Sequence, residues 1–528
     1  MAYFCAINRG LYRESNFFRY FGFACALYFV GVLGLILSNV YYRDDLMRSM
    51  FGATLFMNES RLVAEYGSRF LGMMDYETKL IADASPLFQL IAIAILSFGS
   101  VSLVKIINGK LSTHGLIAAL PLGLSPYFLA NLSYQFDAPF HAFAVVASVV
   151  PFLYLRRVPV FVLMSILGIL VTFTTYQAAH GIYILICIFV VTCSLGHVGN
   201  QGSFALPTRK VTSFIMWSAA SYLVACVVYF LVVYKEGGYK SGSPLFSFNV
   251  ATLQRNIVLY IEIMRADFRG TMFEVLLCCV CAFFVASFVS KSKARWIFSL
   301  PLALGFVLCT FFAAYGVYFF LDAPFLRARA FCGFGVFLAV MAVFISKDGI
   351  FDKILTGLLG YNLIVTSSVY ANSLSAQHEY ANFRRNMMIV DLLKVLPGEE
   401  SSAKIKVHVR SFPINPAPAT ANSIAYFPLL KRIGFEYFGE NMYFTQWQFR
   451  SVRFDYIPYN DYWKAKPLGG GKSKGYVPKS GERICRSPYI STYESQLNVV
   501  QKFEGNCYEV YFKPGQQIRA LHDMTVVR

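Results

Sequence analysis

Charge is scarce in this chain. Asp, Glu, Lys and Arg make up only 14% of its 528 residues, and just 29 of those residues are acidic. Soluble domains carry roughly a quarter of their residues as charges, so a soluble globular protein is excluded. Other things are missing too. There is no Walker phosphate loop, which leaves no visible site for a nucleotide donor. There is no His-Glu-x-x-His, and the seven histidines (His114, His141, His180, His197, His378, His408 and His522) are scattered without ligand spacing, which removes the familiar metal sites. None of them stands in an acyl-transfer context. No repeat and no low-complexity tract is present. Gly471-Lys472-Ser473-Lys474-Gly475 matches a nucleophile elbow by letter only, since no strand precedes it and no helix follows.

What is there is apolar sequence: 56% hydrophobic and 17% aromatic residues. Membrane-length runs recur along most of the chain, the composition of a polytopic α-helical membrane protein. On the criterion of ~20 residues per span about eleven spans are expected, at 21–40, 86–106, 114–129, 139–155, 158–175, 179–196, 211–234, 273–290, 296–320, 329–346 and 354–371. The third is interrupted by Pro121 and Pro126, a break tolerated where the backbone faces a cavity rather than lipid. Arg9, Arg13 and Arg19 precede the first run, which is too long and lacks the cleavage pattern of a signal peptide and so reads as a retained anchor. The positive-inside bias then puts the N-terminus in the cytoplasm. The expected cytoplasmic connections carry Lys105 and Lys110, Arg156-Arg157, Arg209-Lys210, Lys291, Lys293 and Arg295, and Lys347 and Lys353. These account for much of the net charge of +18 through orientation and anionic lipid rather than nucleic acid.

The chain divides into an expected membrane domain, 1–371, and a polar outer domain, 372–528. Within the first, the loop 41–85 is too long to be a mere connector. Leu46, Met47, Phe51, Leu55, Phe56 and Met57 give it the pattern of an amphipathic segment on the bilayer surface. In the tail, Glu379–Val395 reads as helix, Ala403–Val409 and Gly505–Gln517 as strands, and Lys464–Lys479 as a mobile loop; the whole is an α+β domain. Ten of twelve cysteines lie in or beside apolar runs, Cys278-Cys279-Val280-Cys281 among them, where packing is the simplest role. Cys485 and Cys507 fall in the tail; a disulfide between them is expected if that region lies outside the cytoplasm.

Polar residues gather at the expected outer ends of spans. Asp44 and Asp45 follow the first run directly, in Tyr41-Tyr42-Arg43-Asp44-Asp45-Leu46-Met47-Arg48. Then come Asp83-Ala84-Ser85-Pro86, Ser125-Pro126-Tyr127-Phe128, Asn131-Leu132-Ser133-Tyr134-Gln135-Phe136-Asp137, Tyr176-Gln177, and Asp322-Ala323-Pro324-Phe325-Leu326-Arg327-Ala328-Arg329. Ionisable groups at membrane depth are functional candidates; each alone is equally a capping or snorkelling residue, and Asp83 and Tyr176 read that way taken singly. For Asp44 and Asp45 the ordinary reading is a solvated loop pair bridged to Arg48.

As an ordered set, the motif around Asp44-Asp45, Asp83-x-x-Pro86-Leu87, the Ser125 to Asp137 stretch and Tyr176-Gln177 resembles the serotype-converting O-antigen glucosyltransferases of enteric bacteria and their temperate phages. The resemblance covers about the first third by motif, and by hydropathy reaches about residue 370. It implies a C-type glycosyltransferase fold in the bacterial inner membrane, with the tail periplasmic. It also implies transfer of glucose from undecaprenyl-phosphate glucose to a sugar of the lipopolysaccharide O-antigen. Under that reading Asp44 or Asp45 is the general base for an inverting displacement. Arg327 and Arg329 meet the donor phosphate. Arg48, Asp137, Tyr134, Tyr176 and Gln177 contact substrate, with Asp137 the second-rank base. No cofactor is required, because no diphosphate needs neutralising; a carboxylate-bound Mg²⁺ or Mn²⁺ stays compatible with the scheme. The tail carries no motif of the family. Its aromatic stretch Tyr437–Trp447 is either a glycan surface or the core of a small domain. The competing readings are a lipid-linked sugar flippase or transporter and an O-antigen polymerase. A flippase would distribute its charges along a transmembrane path, with repeat symmetry between halves, rather than at one face.

Overall fold

A computed structural model describes residues 16–74, 77, 80–198, 204–234, 249–347, 349–396, 406–410, 414–434, 437–438, 447–452, 485, 488–504 and 506–513. Arg9 and Arg13, Lys464–Lys479 and residues 439–446 of the aromatic stretch lie outside them. The chain forms two units. The first comprises 1–37, 53–370 and 427–433, and the second 38–52, 371–426 and 434–528. Residues 38–52, which hold the Asp-Asp motif, therefore fold with the tail rather than with the spans that flank them in sequence.

Among the described residues of the chain, nine helices are long and apolar enough to cross a membrane: Phe17–Ser38, Leu87–Asn108, Val158–Thr175, Gln177–Leu195, Thr208–Val233, Met272–Lys291, Trp296–Ala313, Ala328–Ile345 and Ile350–Val395. This is a multi-pass membrane protein. The expected third and fourth spans take a different form. The third breaks into Thr113–Ala118, Pro121–Leu124 and Leu129–Leu132, and the fourth is the shorter Ala138–Val149 followed by a 3-10 turn. Pro121 removes a backbone donor at the first break, and the Ser125 backbone leaves the helical region ahead of Pro126, as proline demands of the residue before it.

The first unit is built around Gly333–Ile345, in which every residue is buried. Helices facing outward show the opposite face: Ile215, Met216, Leu223 and Leu231 on one, and Trp296, Ile297, Leu304 and Leu308 on another, are exposed apolar side chains suited to lipid. Lipid is as apolar as leucine, so these helices associate through close packing rather than hydrophobic burial. Gly335 shows how: a Cβ there would lie 2.4 Å from the Pro121 carbonyl oxygen, so only glycine lets the central helix reach the broken third segment. Cys278 faces outward, exposed, instead of packing in a core.

The second unit contains a four-stranded sheet in the order β1-β4-β3-β2, from β1 (Lys406–Arg410), β2 (Tyr489–Glu494), β3 (Asn498–Phe503) and β4 (Cys507–Phe512). β1 runs parallel to β4, and the other pairs are antiparallel. Val407, Val409, Val500, Phe503, Tyr508, Val510 and Phe512 are buried. The C-terminal part of helix Ile350–Val395 is tied to the β2–β3 turn. Fully buried Arg384 donates to the carbonyls of Leu497 (3.2 Å) and Lys513 (2.6 Å). Asp391 accepts from Ser495 Oγ (2.6 Å) and Asn498 Nδ2 (2.8 Å). Cys485 and Cys507 form a disulfide with Cα atoms 5.9 Å apart. In the loop beyond the first span, Asp45–Phe51 is helical, capped by Gly52, whose φ is +65°, and a separate 3-10 turn follows at Phe56–Glu59. Met47 and Phe56 are buried, while Phe51 and Leu55 are exposed.

Candidate functional site

In the first unit, helix ends bring together polar residues that are far apart in sequence. Asp137 is the N-cap of Ala138–Val149 yet makes no side-chain capping bond. Its Oδ2 lies 3.8 Å from Arg61 Nη1, both side chains being buried. Arg61 also reaches Glu59 at 3.6 Å, donates through Nε to the Thr175 carbonyl, and lies over the rings of Phe56 and Tyr176. A buried guanidinium in membrane surroundings is costly unless paired, and here the partners come from three separate segments.

One turn after Asp137 on the same helix face, His141 is fully buried. Its Nδ1 donates to the Asn131 carbonyl at 3.2 Å, which makes Nε2 the acceptor nitrogen. Nε2 and both side-chain polar atoms of Asn131 are buried without a hydrogen bond among the described residues. The imidazole lies 4.1 Å from the Tyr176 ring and edge-on to Tyr134 at 5.8 Å. Tyr134 Oη accepts from Arg329 Nη1 at 2.6 Å, and the Tyr176 hydroxyl donates to the Arg329 carbonyl at 2.9 Å. Gln177 Nε2 donates to the Glu59 carbonyl (2.9 Å) and to Tyr229 Oη (3.1 Å). Asp137, Tyr134, Tyr176, Gln177 and Arg329 thus form one cluster. Arg327, two residues from Arg329, is exposed. Asp83 is exposed and accepts the Ser85 N–H at 2.9 Å, a local turn.

The sequence did not single out Arg61, Glu59 or His141, while Asn131 lay within the Asn131–Asp137 motif. Asp137 and His141 stand at i and i+4, the one local signal that links them. The pairing with Arg61 has no local signal at all.

A further ionic centre lies in the same unit. Asp267, 3% exposed, accepts from Tyr127 Oη at 2.7 Å and pairs with Arg432 Nε at 3.4 Å. Burial pushes its carboxyl up to about 6, against the opposing pull of Arg432 and of the Tyr127 hydrogen bond. Arg432 comes from segment 427–433, and it also donates to the Leu326 carbonyl at 2.8 Å.

In the second unit the two adjacent aspartates differ. Asp45 is fully buried, opens the helix Asp45–Phe51, and accepts the Tyr42 N–H at 3.3 Å. Asp44 is the N-cap residue, half-buried, and its carboxylate makes no capping bond. Arg48 is buried in the following turn. Arg43, directly ahead of Asp44, has φ of +52°, a left-handed conformation that costs a non-glycine residue about 1 kcal/mol. Among the described residues one group of metal-ligating type stands close together, His408 with Cys485 and Cys507. The disulfide leaves that group no thiolate for a metal.

The family model of glucosyl transferase GtrII matches residues 33–346. A Salmonella phage P22 protein described as an uncharacterized 55.3 kDa protein in the gtrB 5′ region is 23% identical over 197 residues, 36% of this chain and 39% of the phage protein. The match thus spans about two-fifths of that relative's length. No solved structure matches. The matched region covers more than half the chain and takes in Asp44, Asp45, Asp137, Tyr176 and Arg329, so the chain belongs to the GtrII glucosyl transferase family.

Proposed function

We propose that the protein is a membrane glucosyltransferase with the C-type glycosyltransferase fold. It moves glucose from undecaprenyl-phosphate glucose to a sugar of the lipopolysaccharide O-antigen at the periplasmic face of the inner membrane. The acceptor hydroxyl oxygen attacks the anomeric carbon, the bond from that carbon to the phosphate oxygen breaks, and the hydroxyl proton passes to a carboxylate. Polyprenyl phosphate leaves and the anomeric configuration inverts. One observation carries the choice of base: of the two adjacent aspartates, Asp45 is buried and engaged by the Tyr42 N–H, whereas Asp44 is half-buried with its carboxylate uncapped. Asp44 is the proposed base, and Asp45 orients the turn that presents it. Arg48, Tyr134, Tyr176, Gln177 and Asp137 are proposed substrate contacts. Arg327 and Arg329 are proposed to face the departing phosphate, where a guanidinium is worth most as charge develops.

The test is Asp44→Asn and Asp45→Asn made separately, with glucosylation assayed in membranes supplied with undecaprenyl-phosphate glucose. Asp44→Asn is expected to lose about 10²-fold or more in transfer while keeping its melting temperature and donor binding. Asp45→Asn is expected to lose melting temperature first. Full transfer by Asp44→Asn would remove it as the base and leave Asp137 as the next candidate.

A further inference from the structure

A pocket lies wholly within the second unit, and the base assignment makes no use of it. Arg43, Leu46, Asn382, Trp447, Gln448 and Ser451 are among the residues that line it. Its cations are already engaged. Arg43 lies over the Tyr42 ring, with Cζ 5.4 Å from the centroid. Arg385, also on the lining, donates through Nε to Asn386 Oδ1 (3.3 Å) and through Nη1 to the Gln448 carbonyl (3.2 Å). What the pocket leaves unmatched is neutral. Gln448 is 4% exposed, and neither its amide nitrogen nor its amide oxygen makes a hydrogen bond among the described residues. A buried amide without partners destabilises the fold, because its water is lost and nothing replaces it. The residue is also held in place: its backbone carbonyl accepts from Arg385 and from Ser451 Oγ at 2.9 Å.

Asn382 supplies a second amide. Its Nδ2 donates to His378 Nε2 at 2.9 Å, and its Oδ1 accepts nothing among the described residues. Two amides offer donors and acceptors together, which matches hydroxyl groups, since each hydroxyl both gives and takes hydrogen bonds. A phosphodiester has acceptors only and would leave Gln448 Oε1 and Asn382 Oδ1 unmet. Size narrows the ligand further. The cavity measures about 50 Å³, room for roughly three or four hydroxyl-sized groups at about 10–15 Å³ each. Such a space suits one edge of a pyranose, with the rest of the saccharide outside the exposed rim at Ser451. Trp447 gives an aromatic wall, and the same indole packs edge-on against Phe51 with centroids 5.0 Å apart. Phe51 closes the helix Asp45–Phe51, so the segment that carries the two aspartates is seated against that wall. Arg43 and Leu46, which flank Asp44 and Asp45 in the chain, line the same pocket.

We infer that this pocket is an acceptor-sugar subsite, in which Gln448 and Asn382 hold hydroxyls on one edge of the saccharide so that a neighbouring hydroxyl meets Asp44. The inference rests on the transferase reading above, and it names the residues that choose the acceptor.

The experiment uses the full chain in nanodiscs. The donor probe is undecaprenyl-phosphate glucose, and the acceptor probe is the host's O-polysaccharide, freed of its lipid by mild acid. Gln448→Met keeps the side-chain volume and removes both unmatched polar atoms. It is expected to keep or raise the melting temperature. KM for the polysaccharide should rise about fivefold or more, while KM for the donor stays unchanged. Polysaccharide binding without donor, measured by calorimetry, should weaken by the same factor. Asn382→Ala should raise the acceptor KM severalfold, and it serves in place of Gln448→Met should that variant fail to fold. An unchanged acceptor KM in a folded Gln448→Met, with transfer by the wild type intact, overturns the pocket and leaves the transferase reading standing. A raised donor KM with the acceptor KM unchanged means that the pocket reads the donor, and overturns the acceptor assignment. A lowered melting temperature with both KM values unchanged gives the amide a purely structural role and overturns it too. Gln448-dependent polysaccharide binding with no transfer by the wild type supports the pocket and defeats the transferase reading alone.

Discussion

Arg61 Nη1 and Asp137 Oδ2 stand 3.8 Å apart with both side chains buried, and Asp137 opens the helix that carries His141. Breaking a buried pair from one side strands a charge, at a cost of roughly 3–5 kcal/mol. Glu59, 3.6 Å from the same guanidinium, softens the loss when Asp137 is the residue removed. Arg61→Met should therefore destabilise more than Asp137→Asn, and the double variant should cost less than the sum of the two. A coupling of about 1 kcal/mol or more is expected from a double-mutant cycle. Thermal unfolding in detergent measures it, and strict additivity would show that the two groups do not sense each other.

The Tyr134 hydroxyl accepts from the Arg329 guanidinium at 2.6 Å, whereas the Tyr176 hydroxyl touches only the Arg329 backbone carbonyl. Tyr134→Phe takes one hydrogen bond from the guanidinium; Tyr176→Phe takes none. If Arg329 faces the departing phosphate, Tyr134→Phe should change kcat severalfold, while Tyr176→Phe loses only a neutral hydrogen bond of about 1 kcal/mol. Comparing kcat and melting temperature for the two variants separates the effects. Equal kcat in both would remove Arg329 from the phosphate.

How far these sites could be read from the sequence depends on distance along the chain. Hydropathy alone located the long helices, and Pro121 and Pro126 marked where the third run breaks, because both signals are local. The Asp137–Arg61 pair and the Tyr134–Arg329 bond join separate segments, and no periodicity encodes such a meeting. His141 gives no signal in the sequence because it is a single buried group beside tyrosine rings, not a member of a ligand cluster. Residues 38–52 fold in one unit with 371–426, an association that sequence order conceals. Strand β2 is not legible in the sequence because Tyr489–Glu494 is almost wholly exposed and gives no apolar alternation. For β3, Asn498 and Val500 share the buried face, so the inward residues are not all apolar.

Asp267 predicts a pH dependence. Its carboxyl is raised to about 6 in the folded protein, above the ~3.9 of an unfolded aspartate. The native state therefore holds its proton more tightly than the unfolded chain does. The stabilisation from this group is complete below about pH 4 and is lost as pH rises through 6, an effect on the order of 3 kcal/mol for two units. Asp267→Asn, which cannot ionise, should flatten this part of the stability profile between pH 4 and 6. Melting temperature against pH for both proteins checks it; parallel profiles would assign the slope to other groups.

Gly316 makes the sharpest structural prediction. Its φ is +65°, and a Cβ there would lie 2.2 Å from His180 Nε2. That nitrogen accepts the Val317 N–H at 2.8 Å, while Nδ1 donates to the Gln177 carbonyl, also at 2.8 Å. Any side chain at position 316 must displace His180, break both bonds and disturb the backbone of Gln177, whose amide meets the Glu59 carbonyl. Gly316→Ala adds left-handed strain of about 1 kcal/mol and exposes a buried hydrogen-bonding group at about 1–3 kcal/mol. The control is Gly305→Ala, within helix Trp296–Ala313, where nothing lies within 4 Å of a new Cβ. That change should be neutral or stabilising, since alanine favours helix. A melting temperature lowered by Gly316→Ala and not by Gly305→Ala establishes His180 as the link between the two turns; equal melting temperatures would mean that His180 moves aside freely.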